Sequence, residues 1–200
     1  MSKALIIIDI QKEVSDKYIL CSVGRLSHEK GFLTACIAMN EVVQKNNLIE
    51  YKLLGDGPQM DDCKKYMISD NLQMLGHVSR EKVYCEIEKS DIIILPSLFE
   101  WYSILLLEVL AIGKPVIITD IEAYREVFDI PKLSDDMDFR IFEYGIQVRK
   151  NDVNSLKKGV LEICMNKDRL KKMATASRAL GLNFSIEKQA KSYMNIQKGE

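Results

Sequence analysis

Short apolar runs alternate with segments of helical periodicity along most of this chain, and no other feature constrains its fold as strongly. The run at residues 92–96 is continuous and mostly β-branched, as expected of a strand that is buried on both faces. Residues 31–44 instead place their apolar side chains on one helical stripe. Repeated alternation of this kind predicts an α/β fold, in which right-handed crossovers build a parallel sheet with helices on both faces.

The pattern also places the individual elements. The predicted strands cover residues 18–23, 51–54, 72–75, 91–95, 115–119 and 144–148. The predicted helices cover residues 31–44, 59–69, 80–89, 103–112, 123–127, 153–165, 168–179 and 186–196. Residues 131–142 carry many charges and weak periodicity, so we expect a surface loop there. We expect one domain over residues 17–196, with an unassigned lead-in at 1–16 and a tail at 197–200.

Composition narrows the classes of partner. The 200 residues are 47% hydrophobic and 28% charged, which fits one globular domain with a sizeable core. A formal net charge of -1 gives no electrostatic reason to expect nucleic acid or a membrane surface as a partner. No apolar run reaches the roughly 18 residues that cross a membrane. Five cysteines without a CxxC pair, and only two histidines, predict reduced thiols, a cytoplasmic location and no metal site.

Two carboxylates lie where an open α/β sheet binds its ligands. Glu100 follows the buried strand at 91–95, and ligands bind beyond the carboxyl ends of such strands. Glu108 interrupts the apolar run at 104–112, where a carboxylate is costly to bury without a partner. A ligand hydroxyl is one such partner, and another side chain of the core is the alternative.

A second group of residues follows the first strand. Gly24 permits a tight turn and close approach by another backbone. Arg25 and Lys30 supply two cations beside the start of a helix, a combination that suits a diphosphate. The alternative is that both cations are solvated or paired with carboxylates.

Two further loops lie at the same end of the predicted sheet. Gly55 and Gly57, with the adjacent Pro58, make a tight turn after the second strand. His77 and Val78 end the third strand, where their backbone edge is able to pair with a flat base. A bare turn and a structural histidine are the alternatives.

Together these motifs resemble the C-terminal domain of GT-B fold, retaining glycosyltransferases of group 1, the glycogen-synthase-like superfamily. In chain order they are Gly24-Arg25, Lys30-Gly31, Gly55-Asp56-Gly57-Pro58, Gly76-His77-Val78, residues 91–97, Glu100 with Glu108, and residues 113–116. The likeness covers residues 18–196 and implies a Rossmann-like, nucleotide-sugar-binding domain that forms one half of a GT-B architecture.

The resemblance also implies roles for individual residues. Arg25 and Lys30 would contact the diphosphate and stabilise the leaving group, and Glu100 would lie near the donor sugar, so these three are the expected catalytic residues. Glu108 would bind the ribose hydroxyls. The expected donor-binding residues are Gly24, Gly55, Gly57, His77, Val78, Tyr102, Ser103, Ile104 and Glu108.

Three segments depart from the family pattern. Trp101 stands where the family usually has a small residue, which puts the choice of donor sugar in question. The segment at 129–142 is longer than usual. Residues 1–16 do not match the usual lead-in; residues 3–11 look like the opening strand of isochorismatase-type hydrolases, a likeness that we attribute to chance or to an unusual gene boundary.

The function implied is the donor-binding half of a retaining glycosyltransferase, which moves a sugar from a nucleotide-diphospho-sugar to a glycan or lipid-linked acceptor, as in polysaccharide biosynthesis. We expect no cofactor or metal requirement. We expect the acceptor-binding half to be a missing domain or subunit, any membrane association to come through that half, and this chain to be inactive alone. A sugar-nucleotide epimerase and a non-catalytic nucleotide-sugar-binding module are the alternatives, the first disfavoured by the two histidines.

Overall fold

A computed structural model of the protein describes residues 17–184. The lead-in at 1–16, the predicted helix at 186–196 and the tail at 197–200 lie outside the described residues. The strands are β1 (Tyr18–Val23), β2 (Ile49–Leu54), β3 (Leu72–Gly76), β4 (Ile92–Leu95), β5 (Val116–Thr119), β6 (Phe139–Phe142) and β7 (Gly145–Val148). The α-helices are α1 (Phe32–Lys45), α2 (Met60–Lys64), α3 (Arg80–Lys89), α4 (Ile104–Ile112), α5 (Glu122–Phe128), α6 (Val153–Cys164) and α7 (Lys167–Gly181).

The strands form one sheet in the order β3-β2-β1-β4-β5-β7-β6. Every neighbouring pair is parallel except β6 and β7, which are antiparallel. The predicted α/β class is therefore confirmed, with one antiparallel strand at the edge. The strand order changes direction between β1 and β4, and in open sheets of this type a ligand crevice lies at that point, beyond the carboxyl ends of the strands.

Two hydrophobic cores cover the two faces of the sheet. Alternate residues of a strand enter different cores, as Ile92 and Ile94 enter one and Ile93 enters the other. Helices α1 and α6 pack on the first face and α4 packs on the second, while α7 contacts both α6 and α4 and contributes Met173 to the first core and Leu180 to the second. Burial on both faces explains why the central strands have continuous apolar sequences. Among the described helices none is long and apolar enough to cross a membrane.

The expectation of a loop over residues 131–142 is wrong at its end. Phe139–Phe142 forms β6, which pairs with β7 in the register Phe139 with Val148 to Phe142 with Gly145. An edge strand has one neighbour and half-exposed side chains, so its sequence carries a weak apolar signal. Arg140 in its middle hid the alternation further.

Helix α2 is shorter than the predicted segment at 59–69. It ends at Lys64, after which Tyr66 N donates to Cys63 O at 3.0 Å and Met67 N donates to Lys64 O at 3.2 Å. These are three-residue turns rather than the four-residue spacing of an α-helix. The apolar residues of the segment continued the helical spacing beyond the point where the backbone leaves the helix.

Candidate functional site

A cavity of about 690 Å³ lies at the carboxyl ends of β1, β2 and β3. We call it the glycine cavity. Its lining residues are Val23, Gly24, Arg25, Leu54, Gly55, Asp56, Gly57, His77, Val78 and Val83. The cavity therefore brings together six of the predicted site residues from three separate loops: Gly24, Arg25, Gly55, Gly57, His77 and Val78.

Main-chain hydrogen bonds fix the walls of the glycine cavity. Gly24 N donates to Leu54 O at 3.0 Å, and Gly55 N donates to Gly76 O at 2.8 Å. A Cβ atom on Gly55 would lie 1.8 Å from Gly24 O, a separation that no folded backbone tolerates. The loops after β1 and β2 thus approach each other so closely that only glycine fits at position 55.

Gly31 brings the start of α1 against the end of β4. Its φ is +67°, and a Cβ there would lie 2.0 Å from Pro96 O. Leu98 N donates to Glu29 O at 2.7 Å across the same contact. The turn that carries Lys30 is therefore held next to the loop that carries Glu100.

Lys30 and Glu100 form an ion pair in this arrangement. Lys30 Nζ lies 2.5 Å from Glu100 Oε1, and Ser97 Oγ donates to the same oxygen at 2.9 Å. The Glu100 side chain is 12% exposed, so the carboxylate is largely removed from water. Burial raises the pKa of the neighbouring Tyr124 phenol, which stays protonated at neutral pH.

Arg25 differs from Lys30 in having an exposed side chain. Within residues 17–184 its guanidinium makes no hydrogen bond or ion pair with another side chain. The alternative of pairing with a carboxylate therefore describes Lys30, whereas the charge of Arg25 is directed to the solvent at the rim of the glycine cavity. An exposed guanidinium at a cavity rim is suited to an anionic ligand.

The start of α4 presents its first turn to solvent. Ser103 caps the helix, with its hydroxyl accepting from Leu106 N at 3.3 Å. Tyr102 and Ile104 are 57% and 66% exposed, so this turn lies at the surface. The adjacent Trp101 is 88% exposed and meets the ring of Phe99 edge to face, with the ring centroids 5.2 Å apart.

Glu108 lies on the next turns of α4 with its side chain 27% exposed. Arg80 Nη2 donates to its Oε1 at 2.7 Å, and Tyr84 OH donates to the same oxygen at 2.8 Å. Sequence reasoning missed both partners. Their spacing of four residues places them on one face of α3, but nothing in the sequence shows that this face meets Glu108.

A second cavity, of about 1040 Å³, lies at the ends of β4, β5 and β7. We call it the charged cavity. Its charged lining residues are Glu100, Asp120, Glu122, Arg125, Glu126, Lys132, Asp135, Arg149, Lys150 and Asp152. The loop before β6 forms one wall and is tied down by Arg149, whose Nη2 donates to Ser134 O at 3.1 Å and to Asp135 O at 2.5 Å. The long segment at 129–142 thus shapes a cavity that borders Glu100.

Metal ligands are not grouped anywhere in the described part of the chain: no set of three His, Cys, Asp or Glu side chains there is arranged to hold an ion. The two histidines lie apart, His77 at the glycine cavity and His28 in the 3-10 turn before α1. The site therefore contains the exposed cation Arg25, the ion pair of Lys30 with Glu100, and the carboxylate of Glu108 bound to Arg80 and Tyr84.

Comparison with known proteins places the chain in a family. The model of the glycosyl transferases group 1 family matches residues 6–180, and the chain belongs to this family. A 2-deoxystreptamine N-acetyl-D-glucosaminyltransferase of Niallia circulans is 28% identical over 123 residues, which cover 60% of this chain and 32% of that protein. The chain spans about a third of the length of the curated relatives that it matches.

Solved structures share the fold at low sequence identity. A mutant of S. aureus TarM in complex with fondaparinux, α-GlcNAc-glycerol and UDP has a TM-score of 0.74 at 16% identity, covering 92% of this chain and 36% of TarM. The C-terminal domain of a group 1 family protein from Francisella tularensis has a TM-score of 0.67 at 18% identity, covering 84% of this chain and 85% of that domain. The predicted Rossmann-like domain of a GT-B protein is confirmed.

Proposed function

We propose that this chain is the donor-binding half of a retaining glycosyltransferase that moves a sugar from a nucleotide-diphospho-sugar to a glycan or lipid-linked acceptor. The observation that carries the proposal is the glycine cavity, where residues from three loops meet beside the exposed guanidinium of Arg25. Membership of the group 1 family supports sugar transfer as the reaction. UDP is bound in the TarM crystal of similar fold, which supports a nucleoside diphosphate as the ligand.

The proposal assigns a place to each part of such a donor. The base would lie against His77 and Val78 in the glycine cavity, and the ribose would reach toward Glu108 on α4. The diphosphate would lie between Arg25 at the cavity rim and Lys30 at the start of α1, and the sugar would extend toward Glu100. This path follows the carboxyl ends of the strands, where open α/β sheets bind ligands.

Charge stabilisation is the chemistry that these residues supply. As the bond between the sugar and the diphosphate breaks, negative charge develops on the departing phosphate oxygen, and Arg25 and Lys30 would stabilise it. The ion pair with Glu100 holds Lys30 Nζ in place while leaving its other N–H groups for the phosphate. The proposal assigns no step to a metal or other cofactor.

The acceptor would be bound by a second domain or subunit. Transfer requires an oriented acceptor and exclusion of water, and the described residues leave the charged cavity and the first turn of α4 open to solvent. We expect the purified chain to bind a donor nucleotide and to show at most slow donor hydrolysis. Any association with a membrane would come through the second half.

Calorimetric titration with UDP, GDP and ADP tests the donor site. Replacing Arg25 and Lys30 together with alanine should weaken binding of the tightest of these ligands by roughly 2–4 kcal/mol, because each charged hydrogen bond contributes about 1.5–3 kcal/mol and the two are not additive. Replacing the exposed Lys171 and Lys172 with alanine removes the same charge from α7 and should leave the affinity unchanged. Equal affinity in both double variants would remove the two cations from the site.

Transfer is tested by adding the matching acceptor-binding half. Sugar should then be transferred with retention at the anomeric carbon, and Glu100→Ala or Lys30→Ala should abolish the transfer. Donor binding without any transfer in the presence of that half would favour a non-catalytic nucleotide-sugar-binding module.

A further inference from the structure

Glu108 is one corner of a closed triangle of hydrogen bonds. Arg80 Nε donates to Tyr84 OH at 2.8 Å, Arg80 Nη2 donates to Glu108 Oε1 at 2.7 Å, and Tyr84 OH donates to Glu108 Oε1 at 2.8 Å. The guanidinium also lies over the Tyr84 ring, 5.4 Å from its centroid. Each member holds the other two, so the orientation of the carboxylate is fixed by two donors rather than one.

The triangle uses one carboxylate oxygen and leaves the other. Oε1 accepts two hydrogen bonds and is saturated, whereas Oε2 accepts none from any residue of the described range. A carboxylate oxygen with both lone pairs available can accept from two adjacent hydroxyl groups. A ribose ring carries such a pair at its 2′ and 3′ positions.

Helix α3 connects this triangle to the glycine cavity. The helix begins directly after His77 and Val78, with Ser79 as its cap accepting from the backbone of Lys82, and Val83 on the same helix lines the cavity. Arg80 is 74% exposed. An exposed ion pair adds little to folding stability, so stability is a poor explanation for three mutually bonded side chains at this position.

We propose that Arg80 and Tyr84 are positioning residues that orient Glu108 so that its Oε2 accepts from the ribose hydroxyls of the donor, which makes the site selective for ribonucleotides over 2′-deoxyribonucleotides. This inference rests on the proposed donor site. Without the two donors the carboxylate rotates about its side-chain bonds, and its orientation toward the ribose is lost.

Calorimetry with a matched pair of ligands tests the inference on the full chain. UDP, GDP and ADP are titrated first, and the tightest binder is then compared with its 2′-deoxy form. Loss of one hydrogen bond to a charged group should make the deoxy form bind roughly tenfold more weakly to the wild-type protein. Arg80→Ala and Tyr84→Phe should each reduce this difference to about threefold or less, while the melting temperature changes little.

Arg80→Lys separates orientation from charge. A lysine keeps the positive charge near the nucleotide but cannot donate to Tyr84 and Glu108 in the planar geometry of a guanidinium. The variant should therefore keep most of the affinity for the ribonucleotide diphosphate and lose most of the discrimination against the deoxy form. Unchanged discrimination in Arg80→Lys, Arg80→Ala and Tyr84→Phe would overturn the inference.

Glu108→Gln distinguishes failure of this inference from failure of the donor site. If the glutamine variant loses the discrimination while the Arg80 and Tyr84 variants keep it, Glu108 contacts the ribose without their help and only the inference fails. If the glutamine variant also keeps the discrimination, the ribose role of Glu108 is wrong and the proposed donor site fails with the inference.

Discussion

The glycine cavity and the charged cavity both lie at the carboxyl ends of the strands of one sheet, but different kinds of contact hold their walls together. The walls of the first are joined by backbone hydrogen bonds between loops, such as Leu26 N to Asp56 O at 2.9 Å. The walls of the second are joined by long side chains: Arg125 donates to Asp120, and Arg149 to the loop before β6. A backbone wall depends on the absence of side chains, whereas a side-chain wall depends on particular partners.

This difference determines how each cavity responds to substitution. Adding one methyl group to a backbone wall forces the main chain of a neighbouring loop to move. This movement disturbs the strands that the loop connects, and the protein loses stability. Removing one side chain from the other wall leaves its partners without hydrogen bonds while the backbone remains in place. We therefore expect the largest losses of stability on the glycine side.

Gly55→Ala should have the largest effect. The new Cβ would lie 1.8 Å from Gly24 O, so β1 and β2 have to separate, and we expect a loss of roughly 4 kcal/mol or more in the free energy of unfolding measured in urea. Gly76→Ala is the control: its φ is +65°, but the nearest atom is Met60 Cε at 4.0 Å, so only about 1–2 kcal/mol should be lost. Similar losses in the two variants would show that close approach does not shape this wall.

Asp120→Ala should have the next largest effect. Asp120 Oδ1 accepts from Arg125 and Gln147 at 2.8 and 2.9 Å, Oδ2 accepts from Leu133 N at 3.1 Å, and the side chain is only 10% exposed. Its removal leaves Arg125 Nη1 and Leu133 N without this acceptor and leaves Gln147 Nε2 with only Pro131 O at 3.3 Å, so we expect a loss of about 3 kcal/mol in urea unfolding. Asp120→Asn keeps the shape and one acceptor, so it should lose about half as much. A loss for Asp120→Ala equal to that for Gly55→Ala would remove the distinction between the two walls.

Glu86→Gln tests an ion pair that joins helix α3 to strand β2, next to the glycine cavity. Glu86 on α3 lies 2.8 Å from Lys52 Nζ of β2 and 2.7 Å from Lys82 Nζ, and its side chain is 4% exposed. Hydrogen bonds from Lys52 and Lys82 lower the pKa of Glu86 to about 2 from its usual 4.5. The ionised form of Glu86 is thus stabilised in the folded protein. It adds to the free energy of unfolding above the unfolded-state pKa, and this contribution is lost as the pH falls from 4.5 toward 2.

At pH 7 the glutamine variant should be less stable by about 2 kcal/mol, a value that allows for the exposure of Lys82. The difference from the wild type should shrink through the same acid range and vanish once Glu86 is protonated in both states. Urea unfolding at a series of pH values measures this. A difference that stays constant from pH 7 to pH 2 would show that the charge of Glu86 does not tie α3 to the sheet.

Arg149→Met should have the smallest effect. It removes two hydrogen bonds to the exposed carbonyls of Ser134 and Asp135, and we expect a loss of about 0.5–1 kcal/mol. Release of the loop should instead appear as faster trypsin cleavage after Lys132, which lies in the loop and is exposed. Lys150→Met, at the next position and exposed, is the control. Equal cleavage rates in the two variants would show that Arg149 does not hold the loop.

The glycine cavity was predictable from the sequence because each of its constraints leaves a mark at a single residue. Gly55 and Gly57 are where they are because a backbone lies too close for any side chain, and such positions are visible as glycines after a strand. The strands behind them have continuous apolar runs because both faces are buried. The family resemblance then assigned expected roles to Arg25, Lys30 and Glu100, and these roles remain predictions.

The charged cavity and the partners of Glu108 were not predictable in the same way. Arg80 and Glu108 belong to different helices, and only the tertiary packing of α3 against α4 brings them together. Strand β6 was missed because a four-residue edge strand with no fully buried side chain carries only a weak apolar signal. The resemblance named Lys30 and Glu100 as site residues but said nothing of their ion pair, since a contact across 70 residues of chain is set by the sheet and not by local spacing.

Trp101 is the single tryptophan of the chain, and its ring stands 88% exposed in the loop that carries Glu100. Indole emission moves to shorter wavelength when water around the ring is replaced by protein or ligand, so all tryptophan fluorescence of this protein comes from one position beside the proposed donor sugar. A sugar or a second domain that covers the loop will shift that signal without any added dye. Trp101→Phe is the control, because it removes the tryptophan emission. Stopped-flow fluorescence of the wild-type protein then measures the rate at which the loop is covered.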